Sequence, residues 1–384
     1  MPAQTEPSAL IPDSSKKINY IDHLKVVLTI LVVLHHSFIT YGAPGGWYYN
    51  QKTTHIGALI PMTMFVAINQ AFFMGFFFFL SAYFITSSYQ KKGAKQFVLD
   101  RLKRLGIPLV FYSFILSPVM IYLVYYFGEG HHIGFLQFLS GFDDWIDFGV
   151  LWFVAALLLF TLIYVLWQGV VKPRPTRTLA VPSAGMIVLF AVLIGVLSFL
   201  VRLIFPVGRV LKPIGFQLGH FSQYVTLFVL GLTAYKNEWL TQLPYRTGKQ
   251  TLVLVVVLIL FFPVFYIIKQ LTNMPLDWFN GGFHWQALLY AVWEQVIGFS
   301  IITVLLTFGK RWWNNSSALL SKFSRYTFAV YIFHPLVLIS LALLATDWAI
   351  DPSVKLLIVA PLAVIGSFLL ASVVVLIPEV KKII

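Results

Sequence analysis

Long apolar segments alternate with short polar ones along almost the whole chain. Each apolar segment is about 20 residues long, the length that a helix needs to cross the hydrocarbon core of a bilayer. The polar stretches between them contain Gly, Pro, Lys and Arg, which are typical of helix ends and turns. The pattern predicts ten membrane-spanning helices, at residues 20–41, 58–85, 106–127, 149–171, 185–205, 220–235, 249–268, 285–308, 325–346 and 355–377.

The composition supports the same picture, because it excludes an ordinary soluble domain. Hydrophobic residues make up 59% of the 384 residues, and charged residues only 11%. We therefore expect an all-α integral membrane protein with about ten transmembrane helices. The boundaries that we predict are a polar cytoplasmic tail at residues 1–19, a transmembrane domain at 20–378 and a short cytoplasmic tail at 379–384.

The net charge of +13 follows from membrane orientation. Most of the 27 Lys and Arg residues fall in the loops that would share a side with the N-terminus. Cytoplasmic loops carry such an excess of basic residues, and an even number of spans then places both termini in the cytoplasm. We therefore do not interpret the charge as a sign of nucleic-acid binding.

The most basic of these inner loops, residues 90–106, alternates Lys and Arg with apolar residues at helical spacing. This pattern is typical of a short helix in the membrane interface, with its basic side chains toward lipid headgroups. We expect Gly106 and Pro108 to end that helix before the third span. A second basic inner segment, residues 172–177, is rich in proline and predicts a stiff linker between spans four and five.

The first span carries a thin polar stripe on an apolar helix. Asp22 and Thr29 lie three and four residues from Lys25 and share its face. His36 comes eleven residues after Lys25, so it returns to within about 20° of Lys25, roughly 16 Å further along the axis. His35 points about 100° away. Either the stripe marks the membrane edge and His36 packs in the core, or the stripe faces a wet cavity, as ionisable groups at membrane depth usually do.

Two further spans carry groups that are costly to bury. Glu294 falls near the middle of the eighth span, where it either orients a histidine or a sugar hydroxyl, or is neutral or paired with Arg202. In the ninth span, Pro335 frees a backbone carbonyl one turn earlier. A structural role for the neighbouring His334 at that kink is therefore an alternative to catalysis.

Other groups are less specific. The aromatic outer loops fit either an interfacial belt or contacts to the apolar faces of a sugar. The chain contains no cysteine, which excludes disulfides and thiolate chemistry. His131 and His132 alone are too few to indicate a metal, and we expect none.

Five short motifs, in order, resemble the acyltransferase-3 family of integral membrane O-acyltransferases. They are Lys25 followed after ten residues by His36, the stretch 78–84 (FFLSAYF), Arg101-x-x-Arg104, Leu151-Trp152-Phe153, and Tyr331-x-x-His334-Pro335. The resemblance covers residues 20–378. Two positions depart from the family pattern, since Lys25 stands where arginine is usual and Ala82 where glycine is usual.

The resemblance implies transfer of an acyl group from cytoplasmic acyl-CoA to a hydroxyl of a cell-envelope carbohydrate. Arg101 and Arg104, helped by Lys103, would hold the phosphates of the donor, since arginine binds phosphate in a bidentate manner. Acyl-CoA would be a co-substrate, and we expect no bound cofactor. The expected acyl group is acetyl or succinyl, and the expected location is the inner membrane of a bacterium. The succinyl possibility arises because a single-domain branch of the family modifies periplasmic glucans.

The remaining candidates combine the resemblance with the positions of the polar residues in the spans. His36 would act as a general base or carry the acyl group itself. The other catalytic candidates are Asp22, Lys25 and Glu294, and the substrate-binding candidates are Trp152, Tyr331 and His334. The rival hypothesis is a transporter or exporter that moves a glycan or an anion without acyl chemistry and uses the same buried charges as a pathway. The sequence leaves the acyl group, the acceptor, the side of transfer and the oligomeric state open.

Overall fold

The computed structural model describes residues 18–171 and 178–383. The predicted linker at 172–177 and nearly all of the predicted tail at 1–19 lie outside these residues. Within the described ranges, helices joined by loops make up the fold, and the pairing of Leu211 with Phe216 is an isolated β-bridge. The chain is an all-α integral membrane protein, as the sequence predicts.

The described part contains α-helices of four to 29 residues. In chain order they are α1 (Asn19–Thr40), α2 (Ile56–Gln70), α3 (Phe73–Arg101), α4 (Ile107–Phe111), α5 (Ser117–Leu123), α6 (Phe135–Ser140), α7 (Trp152–Val170), α8 (Ala184–Arg202), α9 (Phe221–Lys236), α10 (Trp239–Gln242), α11 (Tyr245–Leu271), α12 (Asp277–Asn280), α13 (Trp285–Trp312), α14 (Ala318–Leu344), α15 (Pro352–Val374) and α16 (Pro378–Ile383). Three π-helical turns and two 3₁₀ turns adjoin them, at Leu102–Gly106, Tyr112–Leu116, Val124–Gly128, Gly149–Leu151 and Leu218–His220.

Eight segments of the described chain are long and apolar enough to cross a bilayer. One of them, Ile56–Gly128, has 73 residues and contains two of the predicted spans. Gly93 separates those two spans, with a φ of 72° that interrupts the helix. The sixth predicted span corresponds to α9, which has only 16 residues. The count of ten spans and the cytoplasmic termini therefore stay predictions.

The expected helix end at Gly106 and Pro108 is wrong. A π-helical turn, Leu102–Gly106, leads directly into α4, so the chain remains helical through Pro108. The same arrangement recurs where the turn Tyr112–Leu116 precedes Pro118. The wider π turn accommodates a proline that has no N–H to donate and whose ring would clash with the preceding turn.

Helices α3 and α9 approach closely through small residues. A Cβ atom on Gly231 of α9 would lie 2.3 Å from the backbone oxygen of Phe79 and 2.8 Å from the Cβ of Ala82. A Cβ on Gly75 of α3 would lie 2.4 Å from a methyl carbon of Leu227. The small residues Gly75, Ala82 and Gly231 therefore allow this close packing.

Helix α2 ends inside the bundle, beside the middle of α1. The Nδ2 atom of Asn69 donates to the backbone oxygen of Leu31 at 3.1 Å. The chain then leaves the helix at Ala71, whose carbonyl accepts a 2.7 Å hydrogen bond from Nε2 of Gln223. Gly298 of α13 leaves room for that carbonyl, because a Cβ there would lie 2.0 Å from the Ala71 oxygen. This break places α2 and the start of α3 around the second half of α1.

Candidate active site

A cavity of about 470 Å³ lies at the end of the bundle where α1 ends, a volume within the usual range for small-molecule sites. His36 of α1, Trp152 of α7 and Tyr331 of α14 line it, as do His220 and Tyr224. The loop after α1 and the segment around α12 complete its wall. The fold therefore brings together three of the residues that the sequence identified, from three helices far apart in the chain.

His36 packs against two aromatic rings that also contact each other. Its imidazole stacks on the indole of Trp47, with ring centroids 4.1 Å apart and an interplanar angle of 20°. On the same side of the bundle, the ring of His334 is stacked at 5.4 Å and 21°. The Nδ1 atom of His36 is buried and makes no hydrogen bond to any residue in the described ranges. Stacking thus fixes the plane of the ring, and no hydrogen bond within the described ranges occupies Nδ1.

The ring of His334 is held by the backbone of its own helix. Pro335 has no N–H, so the carbonyl of Tyr331, one turn earlier, loses its helical donor. The Nδ1 atom of His334 lies 2.9 Å from that carbonyl oxygen. A carbonyl only accepts, so Nδ1 carries the proton and Nε2 holds a lone pair. The hydrogen bond at the proline therefore uses only Nδ1 of His334. The Nε2 atom makes no hydrogen bond within the described part of the chain.

His35 also lines the cavity but is fixed differently. Asn69 donates through Nδ2 to the carbonyl of Leu31 at 3.1 Å, which orients its side-chain amide. The same Nδ2 lies 3.3 Å from Nδ1 of His35, so that Nδ1 is the acceptor. This neutral ring packs on Phe73 with centroids 4.9 Å apart. Its contacts are those of a hydrogen-bonded core residue.

Trp152 and Tyr331 have separate supports around the cavity. Trp152 stacks on Tyr224 with ring centroids 5.4 Å apart. The hydroxyl of Tyr224 accepts a 3.1 Å hydrogen bond from Nε2 of Gln70. The hydroxyl of Tyr331 donates to the backbone oxygen of Val150, in the 3₁₀ turn just before α7. Both aromatic side chains are therefore held in place before any ligand binds.

Glu294 is paired, which was one of the two interpretations of the sequence. It is 1% exposed, and its Oε2 accepts a hydrogen bond from Nη2 of Arg202, which is also fully buried. Its Oε1 lies 3.3 Å from Nδ1 of His220. Glu294 is therefore linked to the cavity through His220, because His220 lines the cavity.

The part of the polar stripe near the start of α1 does not reach the cavity. Lys25 pairs with Asp22 at 3.3 Å, and its Nζ lies 5.2 Å from the ring centroid of Phe84. The hydroxyl of Thr29 donates to the backbone oxygen of Lys25 at 2.8 Å. The predicted pair is present, but these residues lie toward the start of α1, whereas His36 is near its end.

The basic motif lies at the end of α3, outside the cavity lining. Arg101 is half-buried, with its guanidinium 5.0 Å from the ring centroid of Phe97. Lys103 and Arg104 are exposed and belong to the π-helical turn that follows. Exposed guanidinium and ammonium groups in this position can bind an anion from solution.

The loop that carries Trp47 is tied to the start of α15. The hydroxyl of Thr53 donates to Oδ1 of Asp351 at 2.9 Å, and His55 lies 3.6 Å from Oδ2. The buried Lys355 donates to the side-chain oxygen of Gln51 at 3.0 Å. Hydrogen bonds, first from Ser353 and then from Thr53, hold the pKa of the Asp351 carboxyl below its ordinary value.

Sequence reasoning did not place Trp47 beside His36, His220 beside Glu294, or Gln223 at the end of α2. For Trp47 a signal existed, since it follows His36 by eleven residues in an aromatic, glycine-rich loop. For His220 and Gln223 the only signal was their polarity at the start of an apolar span. Nothing in the local pattern connects either residue to Glu294 or to the end of α2.

The fold and the cavity define a multi-pass membrane protein with a histidine-lined site. Residues 18–372 match the acyltransferase-3 family, described as an acyltransferase domain, and the chain belongs to this family. The protein is therefore a membrane-embedded O-acyltransferase.

The relatives that match are distant in sequence, but the similarity extends along most of the chain. Glucans biosynthesis protein C of Salmonella heidelberg (strain SL476) is 24% identical over 333 residues, covering 83% of this chain and 82% of the relative. The protein of the same name from Salmonella dublin is 22% identical over 330 residues, with the same coverage. No solved structure matches the chain.

Proposed function

We propose that this protein moves an acetyl or succinyl group from cytoplasmic acyl-CoA to a hydroxyl of a cell-envelope carbohydrate, in the inner membrane of a bacterium. The position of His36 carries the proposal. Its ring lies in the wall of a cavity of about 470 Å³ and packs against Trp47 and His334. A neutral imidazole suits proton transfer and acyl transfer near neutral pH.

The lining of the cavity supports a carbohydrate acceptor. The rings of Trp152, Tyr224 and Tyr331 can cover the apolar faces of a sugar, and Asn280 supplies amide groups for its hydroxyls. The relatives are named for glucan biosynthesis, which supports the same class of acceptor. We assign Trp152, Tyr331 and His334 to the acceptor side of the reaction.

The basic motif supports acyl-CoA as the donor. Coenzyme A is a polyanion of the cytoplasm, and Arg101, Lys103 and Arg104 form a cluster of cations at one helix end. Arginine forks bind phosphate oxygens in pairs, and the nearby lysine adds charge. The pair of Asp22 and Lys25 lies on the same helix as His36, nearer its start, and we place it along the route of the acyl arm.

The reaction joins the acceptor oxygen to the acyl carbon and breaks the bond between that carbon and the sulfur of coenzyme A. His36 either takes the proton of the attacking hydroxyl or bonds to the acyl carbon and carries the acyl group between donor and acceptor. Glu294 supports the reaction through the histidine that it contacts.

The test is release of coenzyme A by the purified protein in detergent. Radiolabelled acetyl-CoA and succinyl-CoA are supplied with and without a periplasmic glucan extract. The His36→Ala variant should lose about 100-fold or more of the acceptor-dependent rate. The Arg101→Ala/Arg104→Ala double variant should raise the KM for acyl-CoA, and His132→Ala, at an exposed loop residue, should match wild type.

Two results would reject the proposal. One is a folded wild-type protein that releases no coenzyme A with either donor, yet moves labelled glycan across proteoliposomes, which would support the transporter. The other is release that does not depend on His36.

A further inference from the structure

A second group of ionisable side chains lies beside the cavity, on three elements that the sequence motifs do not connect. Arg202 ends α8, His220 lies in the 3₁₀ turn before α9, and Glu294 lies in α13. Their exposed fractions are 0%, 6% and 1%. Burying such charges is costly, and well-packed apolar residues often stabilise a protein equally well. Stability alone therefore does not account for this cluster.

The two carboxylate oxygens of Glu294 contact different partners. Oε2 accepts from Nη2 of Arg202, and Nε2 of Gln295 lies 3.5 Å from the same oxygen. The Nε atom of Arg202 donates to the carbonyl of Gly219 at 3.0 Å, which fixes the guanidinium beside His220. Oε1 of Glu294 faces Nδ1 of His220 at 3.3 Å. Arg202 therefore orients Glu294, and Glu294 faces the imidazole.

This arrangement indicates where His220 carries its proton. Nη2 of Arg202 also lies 3.3 Å from Nδ1, and it could donate to Nδ1 only if that nitrogen had no proton. Oε1 of Glu294, however, is buried and makes no hydrogen bond within the described ranges, and Nδ1 of His220 lies 3.3 Å from it. A carboxylate oxygen accepts only, so a proton on Nδ1 would give this buried oxygen a donor, and we place the proton there. The lone pair of the ring is then on Nε2.

His220 also belongs to the wall of the cavity that contains His36. Its ring is stacked with that of Tyr224 at a centroid distance of 6.1 Å, and Tyr224 in turn stacks on Trp152. The imidazole thus lies beside the aromatic surface that we assign to the acceptor. A carboxylate that fixes the tautomer of a histidine, with the other nitrogen toward the substrate, is the arrangement by which hydrolases activate a hydroxyl.

We propose that His220 is a second catalytic histidine, which takes the proton from the acceptor hydroxyl, and that Glu294 and Arg202 are its positioning residues. The inference rests on the proposed function. The acceptor O–H proton moves to Nε2 of His220 as the acceptor oxygen bonds to the acyl carbon. The bond to the leaving group breaks at the same carbon, and the leaving group keeps the electron pair.

That leaving group is the nitrogen of His36, so this step takes the second of the two roles open to His36, in which it first accepts the acyl group from coenzyme A. Coenzyme A leaves as a thiolate and takes up a proton from solvent. His220 releases to solvent the proton that it accepted. His36 then serves the donor side of the reaction and His220 the acceptor side. Two histidines in one cavity thus have separate tasks.

The first experiment measures kcat and both KM values for wild type, His220→Ala and His220→Asn. The asparagine keeps an amide donor for Glu294 but supplies no base, so it controls for loss of folding. We expect both variants to lower the kcat of transfer by about 100- to 10,000-fold, the usual contribution of a general base. The KM for acyl-CoA should stay within about twofold of wild type, and His132→Ala should be unchanged.

The second experiment is chemical rescue of His220→Ala with imidazole and substituted imidazoles. The missing side chain leaves space beside a cavity that small bases can enter. Transfer should return in proportion to the concentration of added base and should rise with its basicity. Glu294→Gln should lose about tenfold or more in kcat and should not respond to imidazole, because its own imidazole is still present.

The outcomes separate the two proposals. If wild type shows no acyl transfer, the proposed function fails. If wild type and the His36 dependence behave as expected but His220→Asn keeps the wild-type kcat, the assignment of His220 is wrong. The assignment is also wrong if His220→Ala elutes as a folded protein, is inactive, and no imidazole restores transfer.

Discussion

The imidazole of His36 lies flat on the indole of Trp47, with ring centroids 4.1 Å apart. The two residues belong to different elements, since His36 is in α1 and Trp47 is in the loop that follows. Trp47 therefore determines the direction in which the ring of His36 faces the cavity. The loop is attached to the start of α15, and this attachment holds Trp47 beside His36.

Removing the indole should lower activity without removing any reacting group. We expect Trp47→Ala to reduce kcat by about 100-fold, because a displacement of roughly 1 Å at a reacting group can cost that much. Trp47→Phe keeps an aromatic face and should retain most of the rate. Trp167→Ala, at an exposed tryptophan of α7, is the control. A wild-type kcat for Trp47→Ala in the coenzyme A release assay would contradict this role.

Replacing Pro335 should separate stability from activity. Pro335→Ala restores an N–H that can donate to the carbonyl of Tyr331 and so displace Nδ1 of His334. We expect a melting temperature equal to or above that of wild type and a kcat lower by about tenfold. Pro361→Ala, the same change inside α15, should leave kcat unchanged. Equal activities of the two variants would show that His334 needs no anchor.

Gly298 should tolerate no side chain. A Cβ atom there would lie 2.0 Å from the backbone oxygen of Ala71, and backbone cannot move aside as a side chain can. Gly298→Ala should therefore destabilise the protein by about 1–3 kcal/mol, the usual cost of overpacking. Gly169→Ala, in a helix with no atom within 4 Å of the new Cβ, should be neutral or slightly stabilising. Thermal unfolding in detergent compares the two, and equal melting temperatures would refute the close approach.

The attachment of the Trp47 loop should weaken in acid. The folded state lowers the pKa of Asp351, so the carboxylate contributes stability above its unfolded pKa of about 3.9 and loses it as the pH falls through the lower folded value. Asp351→Asn lacks this contribution at every pH. The melting temperature of wild type should therefore exceed that of Asp351→Asn above about pH 5, and the difference should shrink below about pH 4. A difference that is constant from pH 7 to pH 3 would contradict this assignment.

Part of the site could be predicted because its geometry is local. The spacing from Lys25 to His36 follows from the rise and twist of one helix, and the effect of Pro335 on the carbonyl of Tyr331 follows from the chemistry of proline. The pairing of Glu294 with Arg202 was foreseen as one alternative, because a buried carboxylate needs a partner. The roles that the motifs suggest for these residues stay predictions.

The rest could not be predicted because it depends on where distant helices meet. His220 and Glu294 are in contact only because α8, α9 and α13 pack together, and residue periodicity says nothing about that contact. The end of α2 inside the bundle depends on Gln223 and Gly298, from two other helices. The helical path through Pro108 depends on a π turn that the pattern of apolar residues does not distinguish from an α turn.

The sequence by itself determined that this protein lies in a membrane and that it is built of helices. Apolar runs of about 20 residues can satisfy their backbone hydrogen bonds in a membrane only as helices, so an all-α membrane fold follows from the chain alone. The motifs along it identified the family. Only the tertiary structure decided which polar groups share a cavity, because Trp47, His220 and His334 approach His36 or its cavity through packing between elements, and such contacts depend on shape and not on order along the chain.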